Sequence, residues 1–393
     1  MAPLPCDFPL RKFTVKLPIP LVHAVLIAGA VLLAIVDVHA AENAIVVGQA
    51  IDLSGPNGSI GRDYVAGITT YFDSLNTKGG LNGKKIRFVV RDDAGNSAES
   101  ARLAGSLIKQ DQADYLLGGI GADATRAVLG APAFTASRHV LFAPLADAGA
   151  GAGAGKPGRV VFWRPSVERE FGFILAYFDK LGVKRIGIAL QDSPHNRRTY
   201  QLVQEAMRQR GMSLAGTAAL SGTAASVDSG AAQLHAAGAK LVLMISDTIG
   251  AAQFLKAFRK VDIATFVAGT SLINLATLSE IAGRKATEWT VFSQVVPNPA
   301  SHTTALQSEH LEMMKKFRDE PVSAVTLEGF AVAKTLVKVM QLEAGGRASQ
   351  YSISAGKTGI DLGGMLVGTS GRDSNLSDYV DIALFKRDGG LMY

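Results

Sequence analysis

The stretch from Ala44 to Asp93 constrains the fold more than any other part of the chain. An apolar run, Ile45–Ile51, breaks off in the loop Asp-Leu-Ser-Gly-Pro-Asn-Gly-Ser, and a helix-like segment follows. A Gly-Gly-Leu-Asn-Gly turn at Gly79–Gly83 then leads into a second apolar run, Lys85–Arg91, that ends on Asp92 and Asp93. Strand, loop, helix, turn and strand in that order predict a βαβ unit. In an open α/β sheet, the loop at the carboxyl end of the first strand is where ligands bind.

The same pattern recurs downstream. Short β-branched runs at Tyr115–Gly118, Val140–Ala143, Arg185–Leu190, Lys240–Ile245 and Thr265–Ala268, like Ile45–Ile51 and Lys85–Arg91, read as strands buried on both faces. Between them lie helical periodicities, with Phe254, Leu255, Phe258 and Val261 on one face and Phe330, Ala333, Val337 and Met340 on another. The alternation predicts an α/β doubly wound architecture with right-handed crossovers. At 393 residues the chain exceeds one ordinary core, so two lobes are expected. Arg159–Pro165 starts the second lobe, and Thr290–Pro299, closed by Pro297 and Pro299, reads as a crossover. Ala146–Gly158 (ADAGAGAGAGKPG) has too little apolar bulk to pack and predicts a surface loop.

The amino terminus has its own signature. Arg11, Lys12 and Lys16 precede the apolar run Ala24–Val36, and Val38-His39-Ala40 offers a small-residue cleavage site. This predicts a cleaved secretory leader over residues 1–40 and a periplasmic mature chain. The single cysteine, Cys6, falls within that leader, which leaves no disulfide, thiolate nucleophile or cysteine metal ligand beyond it. The net charge of +6 is spread along the chain without an aromatic-rich basic stripe, so no nucleic-acid partner is expected.

No catalytic constellation emerges. Neither G-x-S-x-G nor a Walker loop nor H-E-x-x-H occurs, so no enzyme, cofactor or metal is expected. His302 and His310 read as solvated positions at the polar start of a helix. The turn Gly119–Thr125 follows a strand and opens a helix, where free backbone N–H groups can cradle an anion.

Five blocks in order over the mature chain resemble the leucine/isoleucine/valine-binding protein family. After the opening segment come Leu116–Pro132, Val140–Ala148, Leu181–Met207 and the pair Ser293–Pro299 with Ser323–Ala333, followed by Asp361–Gly364 and Ser377–Leu384. The resemblance implies the type I periplasmic-binding-protein fold: two Rossmann-like doubly wound lobes joined by three crossovers. The expected boundaries are 43–161 plus 295–366 for one lobe and 162–294 plus 367–393 for the other. It also implies a non-enzymatic, monomeric solute-binding component of an ABC importer that delivers a small-molecule ligand to permease subunits in the inner membrane. A ligand-sensing module for a membrane receptor is the alternative.

The same resemblance assigns cleft positions. The first loop's aromatic falls on Ile60, a carboxylate hydroxyl on Ala122 beside Asp123, and the next loop's threonine on Ala146 or Asp147. One tyrosine falls on His195 in Gln191–Asn196, a second on Asp247 or Thr248, and the acid that pairs an ammonium falls on Ser271. Losing that acid and a hydroxyl disfavours an ordinary branched-chain amino acid, because an unpaired buried charge costs several kcal/mol. Asp147 and Asp247 would favour a cationic or hydroxyl-rich ligand, and His195 an anion.

Overall fold

The computed structural model describes residues 44–146, 159–220, 222–344, 359–368, 375–386 and 391–393. The expected leader, Asp147 and most of the Gly/Ala loop lie outside these residues. The first sheet has five strands: β1 (Ala44–Ile51), β2 (Lys85–Asp92), β3 (Tyr115–Leu117), β4 (Leu141–Phe142) and β5 (Val160–Val161), in the order β2-β1-β3-β4-β5. Parallel registers pair Val47 with Tyr115, Leu116 with Leu141 and Leu141 with Val160. Helices α1 (Gly58–Thr77), α2 (Ser97–Lys109), α3 (Ala122–Gly130) and α4 (Pro132–Ala136) connect these strands.

The second sheet repeats the plan. After α5 (Val167–Lys180) come β6 (Arg185–Leu190), α6 (Pro194–Gln209), β7 (Ser213–Ala219) and α7 (Ala224–Ala236). Next are β8 (Leu241–Ile245), α8 (Thr248–Val261), β9 (Phe266–Gly269), α9 (Leu275–Ala282) and β10 (Thr290–Gln294). Its parallel part is ordered β7-β6-β8-β9-β10, the same winding as the first sheet. In each lobe the order reverses once, between β1 and β3 and between β6 and β8. Those reversals are the crevices where doubly wound sheets take ligands. The fold class is as expected: two doubly wound α/β lobes.

The chain then returns to the first lobe with α10 (Ala305–Phe317), α11 (Ala324–Ala344) and a hairpin of β11 (Ile360–Asp361) and β12 (Leu366–Val367). It ends in the second sheet, where β13 (Asp381–Phe385) runs antiparallel to β10 and β14 (Leu391–Met392) antiparallel to β13. Helices α1 and α11 cross at touching distance. A Cβ on Gly67 would sit 2.0 Å from the Thr326 carbonyl oxygen, and one on Gly329 would sit 2.2 Å from that of Tyr64. Only glycine permits this approach, which buries Ile60, Tyr64, Ile68, Leu327 and Phe330 together.

Several local expectations change. Strand β2 is an edge strand whose Lys85, Arg87 and Arg91 face solvent, so it is not buried on both faces. Val261 closes α8 and is 41% exposed, while Phe254, Leu255 and Phe258 are fully buried. His302 is exposed, but His310 is wholly buried on the inner face of α10. Its Nε2 lies 3.1 Å from the Thr326 hydroxyl and its ring stands edge-on to Phe330. Burial pulls its pKa from 6.5 down to about 4, since charging an imidazole there forfeits hydration.

Candidate ligand-binding cleft

The loops at the carboxyl ends of both sheets enclose a cleft of about 300 Å³, at the lower end of small-molecule sites. The first lobe supplies little side-chain chemistry to it. Its wall is Ile120, Gly121, Ala122, Leu145 and Ala146, with Asn57 at the start of α1. The loops after β3 and β4 are pinned to each other. The Leu145 amide donates to the Gly119 carbonyl at 2.9 Å, and the Gly121 amide donates to the Leu145 carbonyl at 3.0 Å. Ala143 takes a left-handed φ of 52° to turn that second loop back toward the cleft, a conformation that costs a residue with a Cβ on the order of 1 kcal/mol. Gly121, at φ 95°, precedes α3 and offers no capping side chain. The first amides of α3 therefore have no intrahelical acceptor and carry the positive end of the helix dipole.

The second lobe presents polar side chains on a rigid frame. Gln191 and Asp247 bond reciprocally across the switch point: Gln191 Nε2 donates to Asp247 Oδ2 at 2.8 Å, and the Asp247 amide donates to Gln191 Oε1 at 2.8 Å. Asp247 also caps α8 by accepting from the Gly250 amide at 2.7 Å. Ser193 caps α6 through the Asn196 amide, and Asn196 Nδ2 donates to the Gln191 carbonyl at 2.8 Å. Asp192 pairs with Arg197 at 3.2 Å. His195, Thr199, Ser246 and Thr270 complete the polar surface, and Val167, Phe171, Met244, Ile245 and Leu272 supply apolar contact. No lysine or arginine lines the cleft among the described residues. His195 is the one histidine among the described lining residues.

The structure brings together Ala122, Ala146, His195 and Asp247 of the positions expected from sequence. It does not bring Ile60, Asp123, Thr248 or Ser271 to the lining. Ile60 belongs to the buried stripe Ile60, Tyr64, Ile68 and Phe72 on the inner face of α1, and Asn57, one turn earlier, takes the rim position. Asp123 is 81% exposed and pairs with Arg126 on its own helix. Thr248 lies beneath the wall, where its hydroxyl accepts from the Asn274 amide at 3.0 Å. Ser271 turns its hydroxyl away toward Glu170 at 2.7 Å. Asp147 lies outside the described residues. Sequence reading missed the polar lining residues Asn57, Gln191, Asp192, Ser193, Asn196, Thr199, Ser246 and Thr270. Gln191 stands in the same Gln191–Asn196 block as His195, and its signal was the pairing of a long amide with an acid on the neighbouring loop. Among the described residues no group of His, Cys, Asp and Glu gathers to hold a metal ion.

A family model described as periplasmic binding protein matches residues 44–369, which include both lobes and the whole cleft wall. The chain belongs to that family. The periplasmic binding proteins are a family of binding proteins rather than enzymes, and the solved structures agree in fold. An extracellular ligand-binding receptor from Verminephrobacter eiseniae superposes with a TM-score of 0.79 at 23% identity, over 89% of this chain and 100% of that one. A substrate-binding periplasmic protein from Ralstonia solanacearum gives 0.76 at 24%, over 88% and 99%. A branched chain amino acid ABC transporter protein from Thermus thermophilus with bound valine gives 0.73 at 16%, over 88% and 94%. An amino acid binding protein from Pseudomonas aeruginosa is 35% identical over 74 residues, which span 19% of this chain and 20% of that relative.

Proposed function

We propose that this periplasmic binding protein is the solute-binding component of an ABC importer. It acts as a monomer in the periplasm, without a cofactor and without turnover. It captures one small organic solute between its lobes and presents the closed form to permease subunits. The observation that carries this reading is the cleft itself, placed at the reversal point of both sheets and lined from both lobes. A ligand gripped by two lobes favours the closed arrangement by its differential affinity for it, and that is the signal a permease can read.

The chemistry of the walls supports an amino-acid-like or carboxylate-type solute with an apolar body. The exposed amides of α3 and the His195 imidazole offer hydrogen bonds to an anionic head. Leu145, Phe171, Met244 and Leu272 would hold the body. The relatives named above show that one scaffold serves different cargoes: valine is bound in the Thermus thermophilus protein, and another structure of this fold is a fatty acid ABC transporter substrate-binding protein. Native mass spectrometry of the chain purified without refolding, followed by a thermal-shift screen of metabolites, tests the reading. A copurifying small molecule that raises the melting temperature and narrows the scattering profile is expected. A full panel without a shift or a change in shape would overturn it.

A further inference from the structure

The connections between the lobes converge on one buried polar cluster behind the cleft wall. Arg164 lies in the first crossover, between β5 and α5, and its side chain is 3% exposed. Its Nη2 donates to the Ser271 hydroxyl at 2.6 Å, and its Nε lies 3.4 Å from Glu328 Oε1 on α11 of the first lobe. The Ser271 hydroxyl donates in turn to Glu170 Oε2 on α5, which also accepts from the Ser271 amide at 2.9 Å and the Ser293 hydroxyl at 2.5 Å. Ser293 lies near the end of β10, just ahead of the second crossover. Asn375, ahead of β13, donates its Nδ2 to the Arg164 carbonyl at 2.5 Å. The Leu376 and Ser377 amides of the same segment donate to the Phe162 and Trp163 carbonyls.

We infer that Arg164 is the positioning residue that holds the two lobes in the arrangement seen here, by tying the cleft-wall segment Thr270–Leu272 to the first lobe through Ser271 on one side and Glu328 on the other. Three features make it more than a structural ion pair. First, the guanidinium touches an acid of one lobe and the cleft wall of the other, so the lobes cannot separate without breaking one of these contacts. Second, Ser271 is flanked by Thr270 and Leu272, both lining the cleft; its hydroxyl therefore connects the ligand-facing surface to the hinge. Third, Arg164 Nε and Nη1 and Glu170 Oε1 are buried without a protein hydrogen-bond partner, so the contact with Glu328 at 3.4 Å is an ion pair and not a hydrogen bond. The cluster is thus not fully satisfied in this arrangement, which lowers the cost of exchanging its contacts when the lobes move. At the cleft mouth a weaker contact acts in the same sense: the Ser59 and Thr277 hydroxyls meet at 3.1 Å across the lobes.

The inference rests on reading the lobes as a closing clamp, but its test needs no ligand. The sequence has no cysteine after Cys6, so a Cys pair placed at the exposed positions Arg102 and Glu280 in the mature chain can be labelled for pulsed dipolar or fluorescence distance measurements. Ser271→Ala, which removes the relay and leaves every charge in place, should raise the separated population at least threefold with little change in melting temperature. Ser271→Thr should restore the parental distribution. Arg164→Lys, which keeps the charge but replaces a forked donor by a point donor, should separate the lobes as Ser271→Ala does. A Ser271→Ala distribution identical to the parent's, or a shift that Ser271→Thr fails to reverse, would overturn the inference. Neither result bears on whether a solute copurifies, so the importer reading stands or falls separately.

Discussion

The two walls of the cleft are built on the same strand order yet do opposite things. The first lobe shows the cleft alanine, leucine, isoleucine and backbone amides, with Asn57 at its rim; the second shows Gln191, Asp192, His195, Thr199 and Asp247. The difference lies in how each lobe caps its helices. In the second lobe α6, α8 and α9 are each capped by their own Ser193, Asp247 or Asn274 side chain, which fixes the loops and occupies the helix amides. In the first lobe α1 and α3 reach the cleft without a side-chain cap, which leaves amides for a ligand. The same topology thus yields one wall of fixed side chains and one wall of exposed backbone.

The largest expected effect separates the lobes by how they pack. Gly329→Ala drives a methyl group into the Tyr64 carbonyl at the α1–α11 crossing and should cost roughly 3 kcal/mol or more, read as a clear drop in the midpoint of a denaturant titration. Gly172→Ala on α5 of the second lobe meets nothing within 4 Å, and should be neutral or stabilising by about 0.5–1 kcal/mol. Equal losses at the two sites would erase the packing difference.

Acid sensitivity should also belong to the first lobe. The unfolded chain protonates His310 near the usual 6.5, whereas the folded chain resists until about 4. Stability from this site is therefore complete above pH 6.5, falls as the pH drops toward 4 and is flat below. The span corresponds to about 3 kcal/mol. His310→Gln should flatten the decline in melting temperature between pH 7 and pH 4.5; a variant with the parental slope would place the acid sensitivity elsewhere.

The cleft comparison can be reversed directly. Ala122→Ser with Ala146→Thr gives the first wall hydroxyl donors, and each hydrogen bond to a charged group contributes about 1.5–3 kcal/mol. The double variant should bind leucine or valine at least tenfold more tightly than the parent by calorimetry, and equal affinity would show that the wall does not limit amino-acid binding. The smallest effect is expected at Asp123, whose exposed pair with Arg126 should contribute under about 0.5 kcal/mol. Asp123→Ala should leave both melting temperature and ligand affinity unchanged; a loss of affinity would return Asp123 to the binding wall.

Much of the fold could be read along the chain because strand and helix periodicities are local. The runs at Ile45–Ile51, Arg185–Leu190 and Lys240–Ile245 became strands at nearly those bounds. Strand β7 escaped notice because Ser213–Ala219 is an edge strand of small and polar residues with no apolar alternation. Ile60 illustrates the opposite error. Its spacing of four from Tyr64, Ile68 and Phe72 was visible in the sequence and marks a helix face committed to the core.

By itself the sequence determined the alternating α/β pattern, which follows from side-chain periodicity and turn chemistry within a few tens of residues, while chain length and the family resemblance pointed to two lobes and to the loops between them. Only the tertiary structure decided which loop residues line the cleft. It turned Ser271 toward Glu170, lifted Asn57 and Gln191 to the lining and buried His310. It also set Arg164 beside Glu328, 164 residues away on α11, and linked it through the Ser271 hydroxyl to Glu170 on α5. Charges that distant along the chain meet only because the crossovers bring the two lobes together, and no local pattern encodes such a meeting.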